Sequence, residues 1–188
     1  MRVISGRARG TVLLAPPDSR TRPTADRIKE DLFNIISRYV ADSSFLDLYS
    51  GTGQVGIEAL SRGAARAVFV ESDKHMAELI SKNVDKCRLD GAEIVQGDVR
   101  NALDMLGRKD RLFDIVFMDP PYETGELSHI LQDLIKCRVI NDGALIITEQ
   151  ASKSLPIIDT TELQVFKIKE YSATKLTFVK YTHQGGCP

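Results

Sequence analysis

From residue 45 onward the chain alternates between two hydrophobic periods. Short runs dense in apolar, β-branched and aromatic residues occur at Phe45–Tyr49, Ala67–Val70, Glu93–Val95, Phe113–Met118 and Ala144–Ile147. Between them lie Val55–Ser61, Lys74–Cys87, Val99–Leu106 and Leu127–Cys137, where apolar residues recur at three- and four-residue spacing. Met76, Leu79, Ile80 and Val84 form one such stripe, and Leu127, Ile130, Leu131, Leu134 and Ile135 form another. Strands alternating with helices of this length predict βαβ units on a parallel sheet. Leu163–Glu170 and Lys175–Tyr181 follow without an intervening helix. They predict a closing hairpin that adds antiparallel pairing to a mostly parallel sheet.

The front of the chain reads differently. Val3-Ile4 and Val12-Leu13-Leu14, around Gly6 and Gly10, predict a small hairpin that Pro16-Pro17-Asp18 ends. Thr24 or Asp26 is then expected to cap a helix through Ile28, Leu32, Ile35 and Ile36. The expected organisation is a basic hairpin arm at 1–22, a single domain at 23–182 and a frayed, flexible tail at 183–188. No internal repeat and no low-complexity segment breaks this order.

Composition adds little until charge is divided along the chain. The 188 residues sum to a formal charge of -1, with 43% hydrophobic and 27% charged residues, ordinary values for a globular domain with a real core. Residues 1–22, however, carry five arginines against one aspartate, so the remainder is acidic on balance. A basic arm on an acidic body suits a polyanionic partner. No apolar run is long enough for a membrane span, and the first residues show no secretory core. Cys87, Cys137 and Cys187 are odd in number and far apart, which predicts neither a disulfide framework nor a zinc site and points to a reducing cytoplasm. A single domain of this size is expected to work as a monomer.

Candidate chemistry begins where the first core run ends. Asp47-Leu48-Tyr49-Ser50-Gly51-Thr52-Gly53-Gln54-Val55-Gly56 contains G-x-G-x-x-G between a strand and a helix. Glu71 ends the second strand, where an acceptor for a ribose diol would sit. A nicotinamide dinucleotide and S-adenosylmethionine both fit these features. Asp47 separates them, because a carboxylate at the strand end suits an ammonium group and would repel a pyrophosphate. Asp98, ending the third strand region, adds an acceptor for an adenine amino group. Each also has a plainer reading: Asp47 as a brace for the loop, Glu71 as a surface charge, Asp98 as a helix cap. Taken together the three favour S-adenosylmethionine.

Asp119-Pro120-Pro121-Tyr122 follows the apolar strand Ile115-Val116-Phe117-Met118 at its carboxyl end, where open α/β sheets place ligands. Two prolines stiffen the backbone and remove two N–H donors, leaving carbonyls free to accept. The tetrapeptide resembles the D/N-P-P-Y/F motif of amino-methyltransferases. An amine conjugated to a base ring is a poor nucleophile. Acceptors on the Asp119 carboxylate and the Pro120 carbonyl would hold its hydrogens, aim its lone pair and stabilise the developing positive charge. Tyr122 would stack on the base. His75, His129 and His183 have no metal-ligand spacing, so no metal is expected.

The tetrapeptide does not select its amine: adenine N6, cytosine N4, guanine N2 and protein glutamine all remain open on it. The rest of the chain narrows the choice. Arg2-Val3-Ile4-Ser5-Gly6-Arg7-Ala8-Arg9-Gly10, the segment from Arg22-Pro23-Thr24 through Asn34, the glycine loop, Gly56–Ala64 and the tetrapeptide together resemble the bacterial 16S rRNA guanine-N2 methyltransferases, the RsmD-like family. That resemblance implies a Rossmann-like class I methyltransferase with a mostly parallel seven-stranded sheet and an N-terminal β-hairpin and helix. It implies S-adenosylmethionine as co-substrate, held by Asp47, Gly51, Gly53, Glu71, Asp98 and Thr24. It also implies 16S rRNA or a small-subunit particle as partner, gripped by Arg2, Arg7, Arg9, Arg22 and Pro121, with Asp119, Pro120 and Tyr122 at the reacting amine. Tyr49-Ser50 stands where members often carry Phe-Ala, a change that leaves the loop glycines intact.

Overall fold

The computed structural model describes residues 1–16, 23–120, 126–154 and 160–183. Seven strands form one sheet in the order β3-β2-β1-β4-β5-β7-β6. The chain divides into two compact units, 1–99 and 100–188.

The first unit opens with the arm, where Arg2 and Val12 form an antiparallel bridge. The Val3 N–H donates to the Thr11 carbonyl (3.0 Å) and the Leu13 N–H to that of Met1 (3.1 Å), so the predicted hairpin is present with minimal strand pairing. Helix α1 spans Pro23–Val40. It begins one residue before Thr24, so Thr24 and Asp26 lie in its first turn instead of capping it. Proline supplies a ready-made first helical position, since its fixed φ suits the helix and its missing N–H would be unpaired there anyway. Ile28, Leu32, Phe33, Ile36 and Val40 form the buried stripe of α1. At about 1.5–3 kcal/mol per large side chain, that stripe is the main reason the helix holds.

Strands β1 (Ser44–Leu48), β2 (Arg66–Glu71) and β3 (Ala92–Gln96) pair in parallel, with Asp47 opposite Phe69 and Glu71 opposite Gln96. Helices α2 (Gln54–Ser61) and α3 (Lys74–Cys87) connect them. Gly56 has a packing reason: a Cβ there would stand 2.4 Å from the Phe69 ring. The third glycine of the loop motif therefore lets α2 lie close on β2.

In the second unit, α4 (Val99–Arg108, its first residue closing the first unit) precedes β4 (Phe113–Met118), α5 (Glu126–Lys136) and β5 (Ile140–Ala151). Strand β5 is longer than the predicted 144–147. Asn141-Asp142-Gly143 interrupts its apolar pattern and coincides with a register shift against β4. Strand β7 (Thr174–Tyr181) runs antiparallel to both β5 and β6 (Leu163–Glu170), and it lies between them. The sorting follows composition. Leu176, Phe178, Val179 and Tyr181 bury β7, while Lys167, Lys169 and Glu170 suit the edge strand, where charge discourages further pairing.

Candidate active site

The glycine loop is built around a helix start that cannot cap itself. Gly53 is the N-cap of α2, in a left-handed conformation and without a side chain to offer. The cap comes instead from β1: the Asp47 carboxylate, buried to 1% exposure, accepts the Gly56 N–H at 2.9 Å. A negative group at a helix N-terminus satisfies an orphan donor and suits the helix dipole. Asp47 thus braces the loop, one of the two roles its position suggested. Ser50 adds a second tie, its N–H donating to the Val70 carbonyl (3.1 Å) and its hydroxyl to that of Asp47 (2.6 Å).

Glu71 works from the next strand end. One carboxylate oxygen accepts the Gly51 N–H (2.8 Å) and the other the Asp73 N–H (2.9 Å). Asp73 in turn caps α3 by accepting the Met76 N–H. The Gly97 N–H donates to the Glu71 carbonyl (2.9 Å), tying the loop after β3 to the end of β2. Asp98 follows, exposed and directly before Val99, at the cap position of α4. Asp47, Gly51, Gly53 and Glu71 therefore meet in one small cluster, and the loop carrying Asp98 is tied to it. Thr24 lies in α1, with its side chain outside the described part.

The cluster suits a nucleoside with an ammonium-bearing tail. Gln54, the first residue of α2, has a buried Oε1 with no hydrogen-bond partner among the described residues. An orphaned buried acceptor costs free energy unless a donor reaches it. Gly51, at φ 55, has open space where a Cβ would project, so a ligand can approach its backbone. Among the described residues no group of three or more His, Cys, Asp or Glu is placed to hold a metal ion.

The arm is clamped to this same unit by charges buried far from water. Glu58 on α2 is fully buried and accepts the N–H groups of Ile4 (2.7 Å) and Ser5 (2.9 Å) and the Arg62 Nε (2.7 Å). Lys29, 3% exposed, pairs with Glu58 at 3.6 Å and donates to the Arg2 carbonyl at 2.7 Å. Burial lowers the Lys29 pKa, and the Glu58 charge opposes that shift. Ser61 accepts from the Ala8 N–H and donates to the Ser5 carbonyl (2.6 Å). Gly6, at φ +84, fits only as glycine, because a Cβ would fall 1.8 Å from the Ser61 carbonyl oxygen. Asn83 on α3 accepts from the Leu14 N–H (2.7 Å) and donates to the carbonyls of Leu14 and Thr52. It joins the arm to the glycine loop. Arg2, Arg7 and Arg9 are left exposed on the clamped arm, and Arg22 lies outside the described residues.

In the second unit, Asp119 and Pro120 leave the end of β4, Asp119 exposed and Pro120 buried. Pro121 and Tyr122 lie outside the described residues. The Asp119 carboxyl is pushed up to about 7, chiefly by desolvation and further by the charge of Glu149. The carboxyl is thus open to solvent on one side and desolvated by its protein surroundings on the other. Water that reaches it weakens the shift, and a substrate that displaces the water restores it. Glu149 is a residue of this unit that sequence reasoning missed. The parallel register pairs Met118 with Thr148, so the next positions on the two strands are Asp119 and Glu149. Glu149 is half-buried, which raises its own pKa, while the Thr174 hydroxyl donating to it at 3.3 Å has the opposite effect. An acidic residue near the end of the neighbouring strand was the available signal.

The profile of the family described as Conserved hypothetical protein 95 matches residues 1–180. The chain belongs to this RsmD-like family. Ribosomal RNA small subunit methyltransferase D of Escherichia coli (strain K12) is 35% identical over 159 residues, covering 84% of this chain and 79% of the relative. The protein of the same description from Haemophilus influenzae is 35% identical over 173 residues, covering 90% and 88%. The solved Escherichia coli protein yhhF is similar to this RsmD-like chain with a TM-score of 0.86 and 30% identity, covering 98% and 99% of the two chains. The methyltransferase fold and the family expected from the arm, loop and tetrapeptide are both borne out.

Proposed function

We propose that the chain transfers the methyl group of S-adenosylmethionine to the exocyclic N2 of a guanine in small-subunit ribosomal RNA. The observation that carries this reading is the Asp119-Pro120 carboxylate and carbonyl at the end of β4, in a chain whose β1 and β2 ends build a nucleoside cluster from Asp47, Gly51, Gly53 and Glu71. The RNA is chosen by family, since two relatives 35% identical to the chain are named for small-subunit rRNA, and the guanine amine by the resemblance of arm, loop and tetrapeptide.

In this proposal the loop backbone at Gly51 and Gly53 approaches the co-substrate, and Glu71 receives its ribose hydroxyls. Gln54 Oε1 takes a donor from its amino-acid portion, and Asp98 accepts from its adenine amino group. When bound, S-adenosylmethionine supplies a sulfonium methyl: a C–N bond forms, the S–C bond breaks with its electron pair to sulfur, and the amine loses one proton. Asp119 and the Pro120 carbonyl accept the two amine hydrogens, fix the lone pair along the reaction line and stabilise the charge that develops on nitrogen. The ionised Asp119 carboxylate is the group placed to take the proton, and a pKa near 7 suits that task at neutral pH. Tyr122 stacks on the extruded base. Arg2, Arg7, Arg9 and Arg22 contact phosphates, which position the RNA without reading its sequence.

The test is incubation with tritiated S-adenosylmethionine and small-subunit RNA or particles from cells lacking the modification, followed by nucleoside analysis. Label in N2-methylguanosine is expected. Label in N6-methyladenosine, or in protein glutamine with none in RNA, would contradict the assigned amine and leave the transfer chemistry standing.

A further inference from the structure

A second feature of the first unit lies on the arm, away from the glycine loop residues. A concavity of about 450 Å³ opens between the arm and the first turns of α1. Its walls carry Arg2 and Arg9 from the arm and Asp26, Arg27 and Glu30 from the helix. Three guanidinium groups and two carboxylates thus face one space. Among the described residues none of the five enters an ion pair with another, although their helix spacing would allow it. Asp26 and Glu30, four residues apart, share one face of α1, and Arg27 sits beside them. The volume falls within the range of small-ligand sites.

The walls are also held in place before any ligand arrives. The Lys29 ammonium joins helix to arm through the Arg2 carbonyl, and Glu58 pins the backbone of Ile4 and Ser5. Gly10, also on the rim, has nothing within 4 Å of a Cβ position, which leaves the mouth open. Preorganised walls spare a ligand the entropic cost of ordering them.

We infer that this concavity is a nucleotide subsite, taking one single-stranded nucleotide of the RNA substrate other than the methylated one. It rests on the RNA reading proposed above. Guanidinium forks match phosphate oxygens in a way that single lysines do not. The carboxylates are what distinguish the site from a plain phosphate grip. A carboxylate beside phosphate-binding arginines repels the backbone and is useful only to a base edge that presents N–H donors, as Asp and Glu do for the cytosine amino group. Adenine and guanine offer such amines as well, whereas uracil has no exocyclic amine and its one edge donor, N3–H, is flanked by two carbonyl oxygens that a carboxylate repels. The subsite therefore discriminates against uridine.

The experiment measures anisotropy of labelled oligo(C) and oligo(U) binding to the full chain, across a salt series, for wild type, Arg27→Gln and Glu30→Gln. Both positions are exposed, and a thermal melt confirms that each variant folds. Wild type is expected to prefer oligo(C). Glu30→Gln should bring the two affinities close to equality. Arg27→Gln should weaken both alike and lower the salt slope by about 0.7 for one lost phosphate contact. An unchanged oligo(C) preference in Glu30→Gln, or an equal gain for both oligomers, would overturn the subsite and leave the carboxylates as solvated charges. Free cytidine monophosphate binding as tightly as oligo(C) would also overturn it, by assigning the pocket to a small molecule. Binding is read without turnover, so a wild-type chain that methylates no RNA would sink the proposed reaction and leave this result intact.

Discussion

Asp47 is the penultimate residue of β1 and Asp119 directly follows β4, and their surroundings are opposite. Asp47 is buried and spent on architecture, its carboxylate completing the helix start that Gly53 cannot cap. Asp119 is exposed, with a carboxyl raised to about 7 by desolvation and by Glu149. A carboxylate that accepts a buried N–H has its charge already in use. One that is exposed and near its titration point has its charge available for the amine of the proposed reaction. Two aspartates near strand ends thus differ in that one is committed to local order and the other carries the proposed chemistry.

That contrast can be broken by substitution. The largest effect belongs to Asp119→Ala, which removes the acceptor proposed for the transition state. Transfer should fall by at least about 10²-fold, the scale seen when such a charge-stabilising group is lost. Asp47→Ala should act by a different route. It leaves the Gly56 N–H buried without its partner, a loss of about 1–3 kcal/mol, and should appear in both the thermal midpoint and co-substrate affinity. The smallest effect sharpens the comparison by pH. Transfer should rise with pH through about 7 as Asp119 ionises. Glu149→Gln removes a neighbouring negative charge, so Asp119 ionises more readily and the acid limb of a pH–rate profile should move to lower pH. The rate at pH 6 relative to pH 8 should increase, and a profile shifted upward would contradict the assigned coupling.

Legibility in the chain followed locality. Helix α3 was readable with its bounds, because Met76, Leu79, Ile80 and Val84 mark one face and Cys87 ends it. The position of Asp119-Pro120 after an apolar strand was readable for the same reason. Strand β5 was read too short, since Asn141-Asp142-Gly143 breaks the pattern while the backbone continues. The placement of β7 between β5 and β6 depends on pairing across the sheet, which no local period reports. Glu58 and Lys29 carry no local signal in the sequence. Their burial and pairing arise only when residues 4, 5, 29, 58 and 62 meet, and nothing within a single helical window signals that. Asn83 was hidden in the same way, as a polar residue on α3 whose partners lie on the arm and in the glycine loop. Glu149 was within reach, but it required the strand register to bring it beside Asp119.

The most direct test measures single-turnover methyl transfer and S-adenosylhomocysteine affinity on one preparation of Asp119→Ala. The account predicts that transfer is lost while affinity stays within about twofold of wild type, as for a group used only in the transition state. Equal loss of both would move Asp119 into the co-substrate site and contradict the division of labour between the two aspartates.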